Sequence, residues 1–153
     1  MNQKPPPTID AYLVRLGHAH RRLVENCLQA ADAGIHRGQA PLLFALHQED
    51  GQSNAELTQW LNVSQPTTSN IVKRMQKSGM VVKKRDDSDE RVTRVYLTEQ
   101  GRLAAKVVQE TIQQINQIMN AGLSADEIAT CISIFKKIEA NIERSLEQLT
   151  LDR

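Results

Sequence analysis

The chain has 153 residues, 40% of them apolar and 3% aromatic, and a formal net charge of +1. That apolar share excludes global disorder, and the shortage of aromatics argues against a base-stacking surface of the kind used by single-strand and RNA binders. No apolar run approaches the ~20 residues of a membrane span, and the opening MNQKPPPTID has no apolar signal region, so a cytoplasmic protein is expected.

Pro5-Pro6-Pro7 cannot start a helix, and the first seven residues are expected to be loose. From Thr8 to about Asp32, apolar positions such as Leu13, Leu16, Leu23, Cys27 and Leu28 recur at helical spacing. Gly34 and Gly38 bracket a loop, and Pro41 sits in the first turn of a short apolar helix ending near His47. Asp50-Gly51 predicts a turn. Ser53-Asn54-Ala55-Glu56 is a capping-box pattern, opening a helix that should bury Leu57, Trp60 and Leu61. A second helix opens at Ser64, tolerates Pro66 in its first turn, and stops at Ser78-Gly79.

Met80-Val81-Val82 and Val92 to Leu97 are rich in strand formers and enclose a charged tip, which predicts a two-stranded hairpin. Thr98 should cap a helix to about Asn120, with Leu103, Val107, Ile112, Ile115 and Met119 as its apolar stripe. Gly122 ends it, and Ser124 to Glu127 form a capping box for a last helix striped with Ile128, Ile132, Phe135 and Ile142.

The predicted fold is mainly α with a small β part (α+β). It is a winged helix-turn-helix lobe over residues 39–97, flanked by dimerisation helices over 8–33 and 98–150. The small centre cannot cover the stripes of the long helices, so they are expected to pack on a second copy.

The charge is not spread evenly. Ser64 to Thr98 holds eight basic and four acidic residues, so that window is +4 and the remainder −3. On the helix opened by Ser64, Thr68, Ile71, Val72 and Met75 share one face. The other side carries hydroxyls, amides and cations and no carboxylate. A major groove accepts such a helix, its negative rim favours those charges, and the free N–H groups of the first turn suit a phosphate. A merely solvated face would mix both signs. The expected contacts to double-stranded DNA here are Ser64, Gln65, Thr67, Ser69, Asn70, Lys73, Arg74 and Lys77. On the hairpin they are Lys84, Asp89 and Arg91. An arginine on a ribbon tip can enter a narrow minor groove, and Asp89, two positions back, is expected to hold the Arg91 guanidinium in one direction. The competing reading, a winged helix used only for protein assembly, would want apolar or aromatic anchors on this face.

The run from about Gln39 to Arg102 resembles the MarR family, the multiple-antibiotic-resistance type of bacterial regulator. The likeness is carried by Glu56-Leu57, by Val63 to Ser69, and by Ser78-Gly79-Met80-Val81. It is strongest in Asp86 to Arg91 followed by Val95 to Arg102, a D-x-R wing before an L-T-x-x-G-R helix start. The resemblance implies a triangular homodimer and a pseudo-palindromic duplex site, usually bound to repress. It also implies a cleft between the dimer helices and the DNA-binding lobe for a small aromatic or phenolic ligand. Peroxide-sensing members carry a reactive cysteine near the start of the first long helix, whereas Cys27 lies late in that helix.

Cys27 and Cys131 sit in or beside apolar stripes and are expected to be buried structural thiols. No metal or cofactor is expected: His18 and His20 point to different helix faces, and no His-x-x-x-His or Cys-x-x-Cys pair occurs. With no phosphate loop and no nucleophile elbow, no enzyme is expected either.

Overall fold

The structure, a computed structural model, describes residues 8–31, 34–36 and 38–151. The chain divides into two compact units, Met1–Ile115 and Asn116–Arg153. The expectations for Pro5-Pro6-Pro7 and for a helix end at Asp32 lie outside the described residues.

Helix α1 (Ile9–Ala30) starts where the Thr8 hydroxyl accepts the Ala11 N–H at 3.2 Å. Helix α2 (Ala40–Gln48) buries Leu42, Leu43, Ala45 and Leu46 almost completely, and with Leu57, Val72, Met75 and Val95 they form the heart of the core. Strand β1 (Gln52–Ser53) leads directly into α3 (Asn54–Leu61), and α4 (Gln65–Lys77) follows after a left-handed Asn62. Strands β2 (Val81–Arg85) and β3 (Thr93–Leu97) make the hairpin. The hairpin gains a third strand, because β1 pairs antiparallel with β3 through Gln52↔Val95 and Ser53↔Arg94, giving the order β1-β3-β2. A two-residue strand has no alternation for a sequence pattern to register.

Helix α4 stops through its backbone. The Gly79 N–H donates to the Gln76 carbonyl at 3.1 Å and the Met80 N–H to the Met75 carbonyl at 2.9 Å, with Gly79 at φ +72°. This closure needs a left-handed residue at Gly79, and it turns buried Met80 back under the helix.

Helix α5 (Glu99–Asn120) buries Gly101, Ala104, Ala105, Val108, Thr111 and Ile115. This face shares Ile115 with the expected stripe, whose Val107 and Ile112 pack half-buried against the core, but at the helix start Gly101, Ala104 and Ala105 take the inward face and Leu103 is 66% exposed. Small residues set it, since only they let the start of α5 lie against the Met80 backbone. Trp60 also departs from expectation, at 46% exposed; it lies tilted against Phe44, ring centroids 5.8 Å apart. In the short α3 only Leu57 is fully buried, and Trp60 stands at the core's edge.

Helix α6 (Ala125–Leu151) has no buried residue among those described, and Ile132, Phe135, Ile142 and Leu146 are exposed. In α1, Ile9, Tyr12, Val14 and Leu16 are likewise exposed. The expectation of buried thiols is corrected accordingly: Cys27 is only half-buried and Cys131 is exposed, because the stripes that should bury them are themselves uncovered on the single chain. No described helix is long and apolar enough to cross a membrane.

Candidate nucleic-acid interface

The α3–α4 pair is fixed at both ends. The Ser53 hydroxyl accepts from the Glu56 N–H at 3.2 Å while the Glu56 carboxylate accepts from the Ser53 N–H at 2.6 Å, the complete capping box. These bonds, then the Arg94 charge, hold the Glu56 carboxyl below its ordinary value. At the start of α4 the Ser64 hydroxyl accepts from the Thr67 N–H at 3.4 Å and meets the Thr67 hydroxyl at 2.8 Å.

Thr68, Val72 and Met75 face inward and are fully buried, with Ile71 half-buried beside them. Gln65, Thr67, Asn70, Lys73, Arg74 and Lys77 are exposed on the other side. None of the three cations there makes an ion pair among the described residues. Ser69 is half-buried and its hydroxyl is engaged, accepting from the Asn54 side-chain amide at 2.7 Å. The result is a helix surface of free amide and cationic groups beside capping hydroxyls, standing on an apolar base.

The wing is organised by Asp86, a residue the sequence reading passed over. Its carboxylate accepts from the Ser88 N–H (2.8 Å), the Ser88 hydroxyl, the Asp89 N–H (3.1 Å) and the Arg94 guanidinium. Those contacts, led by the Ser88 hydroxyl and then Arg94, hold its carboxyl far below the usual range. Asp89 does not orient the Arg91 guanidinium as expected. It accepts the Arg91 backbone N–H at 3.0 Å instead, and the guanidinium is left exposed, with no ion pair among the described residues. Lys84 is exposed, its ammonium 5.3 Å from the Tyr96 ring centre. The signal that could have found Asp86 is its spacing to Ser88, since an aspartate side chain commonly accepts the N–H two residues on in a turn.

Asp50 closes the base of the wing. Its carboxylate accepts the Leu97 N–H at 2.9 Å and faces Arg102 at 3.5 Å. Among the described residues no cluster of three or more His, Cys, Asp or Glu could hold a metal ion.

Residues 35–93 match the family model described as MarR family. The chain is 29% identical over 112 residues to the uncharacterized HTH-type transcriptional regulator YdgJ of Bacillus subtilis (strain 168), spanning 73% of this chain and 68% of that one. The PcaV transcriptional regulator of Streptomyces coelicolor is 26% identical, with a TM-score of 0.72 over 89% of this chain and 98% of its own. PcaV has also been solved in complex with its natural ligand, at 23% identity and a TM-score of 0.77 over 92% and 97% of the two chains. BpsR of Bordetella bronchiseptica, whose DNA binding is regulated by 6-hydroxynicotinic acid, shares the fold at 19% identity with a TM-score of 0.77 over 91% and 98%. A helix-turn-helix carrying a β-wing, in a chain similar to these, defines a winged-helix transcriptional regulator. The match to the MarR family covers residues 35–93, the segment that holds α2, α3, α4 and β2.

Proposed function

We propose that the chain acts as a homodimeric repressor that binds a pseudo-palindromic duplex site and is released by a small ligand. The observation that carries this reading is the exposed face of α4, which has free Lys73, Arg74 and Lys77 beside Asn70 and Gln65 and no carboxylate. In the major groove the amides can pair with base edges while the cations and the first-turn N–H groups, with Ser64 and Thr67, meet phosphates. Arg91 and Lys84 extend the contact to the neighbouring minor groove. An arginine free of partners suits that groove's strong negative potential. Asp89 acts indirectly, by shaping the backbone beneath Arg91.

In this division of labour residues 39–97 read DNA, and residues 8–33 and 98–150 hold two copies together. The exposed apolar positions of α1 and α6 support that use, since an uncovered stripe of this length calls for a partner. The ligand is a small aromatic acid, by analogy with the 6-hydroxynicotinic acid that regulates BpsR. The site of action is the cytoplasm. The assembly-only alternative finds no aromatic anchor on α4.

The test is binding to duplex fragments selected from random sequence, with light scattering of the free protein. Saturable duplex binding by a species of twice the protomer mass is expected. A folded monomer, or equal affinity for every duplex, overturns the reading.

A further inference from the structure

Arg94 lies on the middle strand of the sheet, paired with Ser53 of β1 on one side and Lys84 of β2 on the other. Its guanidinium reaches both ways. Toward the wing it donates from Nε to Asp86, whose side chain is only 9% exposed. Toward the lobe it donates from an Nη nitrogen to the Gly51 carbonyl at 2.9 Å and lies 3.5 Å from the Glu56 carboxylate. Three segments therefore meet on one planar fork: the wing loop, the turn before β1, and the first turn of α3.

The contacts inside the loop make this connection consequential. Asp86 folds residues 86–89 around itself, and its own N–H donates to the Val92 carbonyl at 2.9 Å. The loop is thus a small closed body with Arg91 on it. Beyond the strand ladder, its side-chain connection to the helix-turn-helix runs through Arg94.

We propose that Arg94 is a positioning residue for DNA recognition: it fixes the wing relative to the α3 capping box, so that Arg91 meets the minor groove while α4 sits in the major groove. The proposal rests on the DNA-binding reading above. An arginine is required because one fork must serve three acceptors; a lysine ammonium at this position cannot span Asp86 and Gly51 together. Before binding, the tie removes wing motions that would otherwise be frozen out on the DNA, and such preorganisation strengthens association without adding a contact to the ligand.

The experiment compares the parent with Arg94→Ala, Arg94→Lys, Asp86→Asn and Arg91→Ala. Amide hydrogen exchange over residues 86–92 is measured in the free protein. Affinity for a selected duplex is measured across a salt series. Arg94→Ala and Arg94→Lys should both speed exchange over 86–92 and weaken binding about tenfold, a typical loss of preorganisation. Their slope of log affinity against log salt should stay within a few tenths of the parent's, whereas Arg91→Ala should lower it by about one. Asp86→Asn, which keeps the shape of the side chain, should speed exchange as Arg94→Ala does. Unchanged exchange in Arg94→Ala overturns the proposal. So does full recovery of affinity by Arg94→Lys together with a slope reduced by about one in Arg94→Ala, which would make Arg94 a phosphate contact. A parent that binds no duplex would fail the DNA-binding reading instead, and the exchange measurement would still decide whether Arg94 holds the wing.

Discussion

Asn54 hands its side-chain amide to the Ser69 hydroxyl at 2.7 Å, pinning the first residue of α3 to the middle of α4. The side-chain oxygen of Asn54, Oδ1, is buried with no partner among the described residues, so this one bond sets its amide's direction. Ser69 therefore fixes the angle between the two helices, whatever it also does toward DNA. Ser69→Ala should cost about 1 kcal/mol and lower Tm by about 3 °C. The ratio of selected to random duplex affinity should change less than in Asn70→Ala. An unchanged Tm with a collapsed ratio would return Ser69 to the base-reading set.

The exposed face of α4 separates two kinds of residue. Lys73→Ala or Arg74→Ala should weaken binding to all duplexes alike and lower the salt slope by about one each. Asn70→Ala or Gln65→Ala should instead narrow the gap between selected and random duplex by roughly 1–3 kcal/mol at constant slope. A salt titration on both duplexes separates the two patterns. If the amide variants behave like the cation variants, sequence is read elsewhere.

Gly101 is fixed by contact with backbone. A Cβ there would stand 1.9 Å from the Met80 carbonyl oxygen and 3.2 Å from the Leu97 side chain. A carbonyl inside a hydrogen-bonded turn cannot rotate away, so the start of α5 would have to lift. Gly101→Ala should cost about 3 kcal/mol, the upper end for overpacking, and depress Tm by roughly 6–12 °C. A Tm within 2 °C of the parent would mean that α5 does not sit this close in solution.

The wing has its own acid limit. The Asp86 carboxyl titrates lower in the folded loop than in an unfolded chain, where its ordinary value is 3.8. Its contribution to order is therefore complete above that value and lost as pH falls through the lower folded one. The amide resonances of Ser88 and Asp89 should hold their folded positions from pH 7 to below pH 4, and move only in stronger acid. Asp86→Asn should abolish that movement. Half-titration near an ordinary aspartate value would show that the loop does not hold the charge.

What could be read without coordinates follows from range. The inner face of α4 was legible because a 3.6-residue period separates Thr68, Val72 and Met75 from Asn70, Lys73 and Lys77 along one short segment. The capping boxes were legible because each closes over three residues. Arg94 was not, since its partners Asp86, Gly51 and Glu56 come from three segments and its charge looks like any other in a basic window. The inward face at the start of α5 was missed because Met80 lies too close for a Cβ at Gly101, while the expected stripe was read from larger residues, of which Ile115 is buried and Leu103 exposed. Asp89 was given a side-chain task, whereas its carboxylate takes the Arg91 backbone N–H, a choice that spacing alone does not decide.

Thr98 joins two of these elements. Its hydroxyl reaches the Gly79 carbonyl at 2.6 Å and the Met80 carbonyl at 3.1 Å, and accepts the Gly101 N–H at 3.0 Å. One oxygen thus finishes the turn behind α4 and begins α5. The joint is shared: a roll of the first turn of α5 would draw on the carbonyls that end the recognition helix, and β3 enters the same joint from the wing. Widening the joint by a single methyl at Gly101 would uncouple the start of α5 from the end of α4.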